Sequence, residues 1–304
     1  MERDDLRLAV LIDADNAPRT AIRDVMAEVA VYGTPTIKRI YGDWTSPNMG
    51  SWKPLLLENA LTPIQQYGYT TGKNSTDSAM IIDAMDVLYS GRVDGFVLVS
   101  SDSDFTRLAI RLREAGMKVY GMGERKTPNP FIVACDKFVY IEVIRAAGEK
   151  ARAKEKTAKE IKPAPAKINP IEPSQTEVEA VQPEASTKRR RRKKNANEPP
   201  APVPESVREI PEPPAVQESH QRVPPEVVDL IAESLEDIAE EDGYAFMGEL
   251  GNLLVKKQPD FDPRNFGFSK LTQLVKSLDR FEIDVRQTSA PHVKHIYLRD
   301  RQPK

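Results

Sequence analysis

The chain of 304 residues carries 44 Lys and Arg against 46 Asp and Glu, a formal charge of −2, so no single-sign field dominates it. Its one cysteine, Cys135, excludes a disulfide within the chain and a cysteine-cluster zinc site, and reads as a small buried residue. The first apolar run follows Glu2-Arg3-Asp4-Asp5 and is too short to span a membrane, and nothing resembles a signal peptide; a cytoplasmic protein without a membrane partner is expected.

Taken in order, residues 1–145 alternate apolar runs with helical patterns, which predicts an α/β domain with a parallel sheet covered on both faces. Residues 8–12 read as the first strand. Pro18 then opens a helix whose buried positions are Ile22, Val25, Met26 and Val29. A second strand is expected at 36–41, a short helix at 51–60 and a weak strand at 63–66. Ser75 or Thr76 caps a helix with Met80, Ile81, Ala84, Met85 and Leu88 on its buried stripe. The strand at 96–100 leads into an acidic loop. A helix carrying Phe105, Leu108, Ala109 and Leu112 follows, ended by Gly116, and strands at 117–121 and 138–141 complete the sheet.

No aromatic residue occurs between Tyr140 and Tyr244, and 14 of the 25 prolines fall between Pro163 and Pro225. Such a stretch cannot bury enough apolar surface to offset its ordering entropy, so 146–222 is expected to be a disordered linker. Within it runs Lys188-Arg189-Arg190-Arg191-Arg192-Lys193-Lys194, a basic block that attracts polyanions by releasing their counterions. Residues 223–304 then show three helical stripes (Val227, Ile231, Leu235, Ile238; Phe246, Leu250, Leu253, Leu254; Leu271, Leu274, Val275, Leu278) and a hairpin pattern at 281–286 and 293–299. Three helices and a β-wing make a winged helix-turn-helix, a binding module.

The chemistry is carried by acids at strand ends. The first strand stops at Asp13-Ala14-Asp15-Asn16, and the strand at 96–100 stops at Ser100-Ser101-Asp102-Ser103-Asp104. In a parallel sheet these ends open into one crevice. Asp77 lies in the first turn of the helix after Thr76 and can reach the crevice edge. Two carboxylates about 4 Å apart repel by roughly 4 kcal/mol at an effective dielectric of 20, so several together call for a cation. An all-oxygen ligand set suits Mg²⁺ or Mn²⁺ better than zinc. The competing reading makes each acid a helix cap, yet one cap per helix suffices and the acids exceed that need.

Other chemistries are excluded by absence. The three histidines, His220, His292 and His295, lie outside residues 1–145, which removes a Ser-His-Asp triad and a histidine acid/base pair from that region. Neither a Gly-x-x-x-x-Gly-Lys loop nor a Gly-x-Gly-x-x-Gly fingerprint is present there. Lys73, one helical turn before Asp77, is a candidate phosphate contact. Tyr41 and Trp44 are candidates to stack on a base, with core packing the favoured role, Asp43 is a weaker candidate ligand, and Asp83 is a supporting candidate or a solvated residue.

Four segments in order resemble the NYN domain of LabA-like proteins, a branch of the PIN-like nuclease superfamily. They are Val10-Leu11-Ile12-Asp13-Ala14-Asp15-Asn16, Tyr41-Gly42-Asp43-Trp44, Lys73-Asn74-Ser75-Thr76-Asp77 with Ile82-Asp83-Ala84, and Val97-Leu98-Val99-Ser100-Ser101-Asp102-Ser103-Asp104-Phe105. The resemblance implies a Rossmann-like sandwich and a metal-dependent endoribonuclease whose catalytic and metal-binding acids are Asp13, Asp77, Asp102 and Asp104. Asp15, Asn16, Asp83 and Ser101 would support them. Asp262-Pro263-Arg264-Asn265-Phe266-Gly267-Phe268-Ser269-Lys270-Leu271 is similar to the OST-HTH (LOTUS) domain. That likeness implies RNA as a partner, protein partners through the same domain, and RNA contacts at Arg264, Asn265 and Lys270, whose competing role is a structured loop capping the third helix. Arg189, Arg190, Arg191 and Arg192 of the basic block are candidate RNA contacts by their charge.

Two alternatives stand beside the nuclease. One is an RNA-binding adaptor whose acids hold a structural ion or none. The other is a haloacid dehalogenase-like phosphatase, because Asp13-Ala14-Asp15 imitates its nucleophile and acid pair; Ala17, where that pattern wants Thr or Val, argues against it.

Overall fold

The computed structural model describes residues 5–67, 75–160, 223–287 and 294–302. Six strands, β1 (Arg7–Asp13), β2 (Thr34–Gly42), β3 (Thr62–Gln65), β4 (Gly95–Val99), β5 (Lys118–Gly123) and β6 (Lys137–Tyr140), form one sheet in the order β3-β2-β1-β4-β5-β6. Every neighbouring pair is parallel. The strand order reverses direction between β1 and β4, the place where open α/β sheets form a crevice beyond their carboxyl ends.

Side-chain parity sorts the core into two layers. Leu8, Val10 and Ile12 of β1, with Val97 and Val99 of β4, pack beneath α1 (Ile22–Tyr32), α2 (Lys53–Asn59) and α6 (Ile141–Glu160). Ala9 and Leu11, with Phe96 and Leu98, pack beneath α3 (Ser75–Tyr89), α4 (Thr106–Glu114) and α5 (Asn129–Ala134). Alternation along a strand then places Asp13 and Ser100 on the α3 and α4 side.

Strand and helix positions agree with the sequence to within one or two residues, with two differences. The six-residue helix α5 leaves no signal in the sequence, because Phe131, Ile132 and Ala134 are too few to show a period. The other difference is that α6 runs to Glu160, past the expected linker start at 146. Its Arg152 donates two hydrogen bonds to Asp24 of α1 (2.6 and 3.2 Å). Gly148 lets the helices close, since a Cβ there would meet the Asp24 carboxylate at 2.4 Å. Ala, Lys and Glu are good helix formers as well as linker residues, so composition alone could not place this boundary.

The C-terminal region has the expected parts: α7 (Pro225–Glu236), α8 (Met247–Lys257), α9 (Leu271–Lys276) and the hairpin β8 (Phe281–Gln287) with β9 (Lys294–Asp300). A two-residue strand, β7 (Ala245–Phe246), joins them in an antiparallel sheet of order β7-β9-β8. Ile231, Leu250, Leu254, Leu274, Val275 and Leu298 are its fully buried centre. Among the described residues no helix is long and apolar enough to cross a membrane.

This C-terminal domain covers the β6 edge of the large sheet. Phe138 N–H donates to the Pro259 carbonyl (2.9 Å), and the Tyr140 hydroxyl donates to Asp260 (2.8 Å). Arg264 donates to both carboxylate oxygens of Glu28 on α1 (2.7 and 2.8 Å) and to Asp262. Burial pushes the Glu28 carboxyl up, but the Arg264 and Tyr32 hydrogen bonds more than reverse this and leave it below its ordinary range. The cluster is largely buried, with 25% of the Arg264 side chain and 11% of Glu28 exposed, so removing one charge strands the other. Arg264→Glu is accordingly expected to release the C-terminal domain, seen as a larger radius of gyration by small-angle X-ray scattering. Adding Glu28→Arg should restore the compact value.

Candidate metal centre

The acidic residues meet at the carboxyl ends of β1 and β4, where the strand order reverses. Asp77, Asp102 and Asp104 each offer an oxygen, and these oxygens lie within 4.8 Å of one another. Asp77 is buried in the first turn of α3, Asp102 is half-buried and Asp104 exposed. Asp102 also caps the 3-10 turn Ser103–Phe105 by accepting the Asp104 N–H (2.9 Å), so the capping role and membership of the cluster coincide in one residue.

Asp13 sits behind this group with no exposed surface. Its Oδ1 accepts the Asp15 and Asn16 N–H groups (3.0 and 3.3 Å), and its Oδ2 accepts Asn16 Nδ2 and Ser100 Oγ (both 2.8 Å). A carboxylate has about four lone-pair sites, and these bonds occupy them all. Ser100 is the hub: its Oγ donates to Asp13 and accepts the Asp102 N–H (3.1 Å), tying the end of β1 to the acidic loop. Ser101 Oγ accepts the Glu124 N–H (2.9 Å) and pins that loop to the end of β5.

The field in the crevice is negative. Burial, together with Asp13, Asp102, Asp104 and Asp15, pushes the Asp77 carboxyl up to about 6. Asp15 is also raised, by burial first and then by Asp13 and Asp43, against a hydrogen bond with Thr76 that lowers it. The donor set fits a hard cation: two oxygens on opposite sides of a Mg²⁺ ion are about 4.2 Å apart, close to the spread found here.

The remaining candidates fall in several places. Asn16 faces Asp13 as an amide donor. Asp83 is engaged by the Arg39 guanidinium and the Tyr41 hydroxyl, away from the acidic group, and so braces α3 against β2. Tyr41 is fully buried and Trp44 donates to the Ile64 carbonyl (2.9 Å), which matches the favoured packing roles. Asp43 accepts from Thr45 in its own loop and from Gln65 Nε2 at the end of β3 (2.9 Å). Arg264 is held in the domain contact, and Asn265 Nδ2 donates to the Asp260 carbonyl (2.9 Å). Lys270 is exposed at the start of α9. Lys73 and Arg189, Arg190, Arg191 and Arg192 lie outside the described residues. Sequence reasoning missed Ser100 and Thr76; the unbroken Ser-Ser-Asp-Ser-Asp run held the first, but its partner is 87 residues away.

Residues 7–142 match the family model of the NYN domain, and residues 219–293 match that of the OST-HTH/LOTUS domain. The chain carries an NYN domain and an OST-HTH/LOTUS domain. No curated protein matches it. Among solved structures it is similar to a protein of unknown function from Vibrio parahaemolyticus (20% identity, TM-score 0.40, covering 46% of this chain and 96% of that one). It is also similar to an uncharacterized protein from Nitrosomonas europaea (33% identity, TM-score 0.26, covering 32% and 92%) and a protein from Chromobacterium violaceum (31%, 0.22, 27% and 84%). The NYN domain belongs to the nuclease superfamily, and its acidic group can hold a divalent cation.

The raised Asp77 carboxyl has a stability consequence with a definite sign. The folded NYN domain holds the proton more tightly than the unfolded chain, so without metal Asp77 costs stability as pH rises from about 4 to about 6. Asp77→Asn should therefore melt higher than the parent at pH 7 in a chelator. The gain should be on the order of 1 to 2 kcal/mol after allowing for solvent at the crevice mouth, and should vanish near pH 4.

Proposed function

We propose that the protein is a metal-dependent endoribonuclease. In this reading the NYN domain cuts RNA, and the OST-HTH/LOTUS domain with the basic block 188–194 holds it. The observation that carries the reading is the convergence of Asp77, Asp102 and Asp104 on one point at the switch in strand order. Asp77, Asp102 and Asp104 hold Mg²⁺ or Mn²⁺. When bound, such an ion supplies an activated water and neutralises charge on the scissile phosphate.

The chain's own groups position these acids. Asp102 is oriented through its cap bond to the Asp104 N–H and through Ser100, while Ser101 keeps the loop against β5. Asp13, its lone pairs occupied, anchors the loop and adds the buried negative charge that favours a cation over three ionised neighbours. Asp104 is the exposed member of the group, the one an incoming phosphodiester can reach from solvent. The phosphatase alternative finds no support: the family models that match are those of the NYN and OST-HTH/LOTUS domains, and Asp13 has no exposed surface.

The test is cleavage of a varied RNA set in Mg²⁺ or Mn²⁺. Asp102→Asn, which keeps the side-chain shape, should lose more than about 100-fold in rate, and Ser100→Ala, which only orients ligands, about 10- to 100-fold. Chelator should abolish cleavage in the parent. Tight RNA binding with no cleavage by the parent in either metal would instead favour the adaptor reading.

A further inference from the structure

A cavity of about 490 Å³ lies between the start of α6 and the loop at 264–269 of the OST-HTH/LOTUS domain. Its floor is apolar, with Val143, Ala147 and Phe268, and its rim carries Arg125 and Lys150 against one carboxylate, Glu142. Among the described residues Arg125 and Lys150 form no ion pair; Arg125 lies over the Tyr140 ring, 5.3 Å from its centroid. Arg264 differs, since Glu28 and Asp262 already neutralise it. An apolar floor open to solvent, with two cations and one carboxylate on its rim, suits a flat aromatic group joined to a phosphate.

The cavity is also placed along the site. Arg125 follows Glu124, whose N–H is bound by Ser101 beside the acidic group. Between the ends of β4 and β6 are two strand spacings, about 10 Å, along one edge of the sheet. Arg125 is thus the part of the cavity nearest the acids. From there the cavity follows α6 on the face of the sheet opposite the one Asp13 and Ser100 take, so a strand held at the acids meets Arg125 first and enters the cavity by passing over the end of the sheet.

We propose that this cavity is a nucleotide subsite: one base of a single-stranded RNA lies on Phe268 and the aliphatic floor, and Arg125 and Lys150 hold the flanking phosphates. The identity of the polymer rests on the ribonuclease reading; the site itself rests on the cavity and its charges. No base-edge donor or acceptor is required, so the subsite tolerates any base and fixes the path of the strand.

The experiment uses the full chain carrying Asp102→Asn, in chelator, with a short fluorescein-labelled single-stranded RNA of mixed sequence, read by anisotropy across a KCl series. Lys150→Glu, on the exposed side of α6, and Phe268→Ala should each weaken binding, and Lys150→Glu with Arg125→Glu should weaken it about tenfold or more. The salt slope should become shallower by about one for each phosphate that is no longer neutralised. Ultraviolet crosslinks to Phe268 are expected in the parent, and Lys118→Gln, at the opposite end of β5, should change nothing. Melting curves identify any variant that fails to fold, and Lys150→Glu alone then decides. Unchanged affinity and slope in folded Lys150→Glu and Phe268→Ala overturn the subsite, whether or not the parent cuts RNA. Weakened binding beside a parent that cuts nothing in Mg²⁺ or Mn²⁺ keeps the subsite and removes the nuclease reading.

Discussion

Mutual repulsion among carboxylates from β1, α3 and the loop after β4 governs the whole mouth of the NYN sheet. At separations of 4 to 5 Å and an effective dielectric of 20, each pair costs roughly 3 to 4 kcal/mol, so the acids stay together only where something opposes their charge. The fold answers in three ways. Backbone N–H groups and the Ser100 hydroxyl surround Asp13. A proton is held more tightly on Asp77 than in the unfolded chain. The third answer is the space among three oxygens, which matches a small divalent cation. A scaffold that accepts this strain has to be stiff beneath it, and the fully buried strands Leu8–Ile12 and Phe96–Val99 supply that stiffness.

Much of this was legible before any coordinates. The acids stand immediately after apolar runs, and in a parallel sheet that alone sends them to a common edge. Which face each acid takes came only with the structure: 9 and 11 lie on the α3 and α4 side, and Asp13 follows them. What could not be read were contacts that depend on which strands are neighbours. The Ser100–Asp13 bond exists because β1 pairs with β4 across 87 residues. Asp83 shows the converse. Its place beside the acidic motif suggested a role at the site, but the six residues from Asp77, well over one and a half turns of helix, carry it round to Arg39 and Tyr41. The end of α6 was hidden for a different reason, since the residues that favour helix there are those that also fill unstructured linkers.

The two edges of the sheet are closed by different means. β3 is four residues long and contains Pro63, which has no N–H to offer a foreign strand. β6 instead gives the Phe138 N–H to Pro259. Edge protection and domain contact are thus the same event, and Arg264 is drawn into it, because the segment that reaches β6 brings the guanidinium onto Glu28.

That coupling shifts where the attraction for a polyanion can reside. A guanidinium shared by two carboxylates has little net field beyond their reach, so the loop that resembles an RNA-binding motif contributes its backbone shape and Phe268 more than its arginine. Arg125 and Lys150, which form no ion pair among the described residues and face the single carboxylate Glu142 in the cavity, keep more of their pull on phosphate. Arg125 follows the end of β5 on the sheet edge that carries the acids, and Lys150 lies further down α6, on the side toward the C-terminal domain. Negative charge at one point of the edge and positive charge two strands away orient an incoming strand: phosphates are repelled from the bare acids until a cation is present, and are held meanwhile at the other end. Such an arrangement makes metal loading and strand placement separable steps, with the domain contact at β6 setting the distance between them.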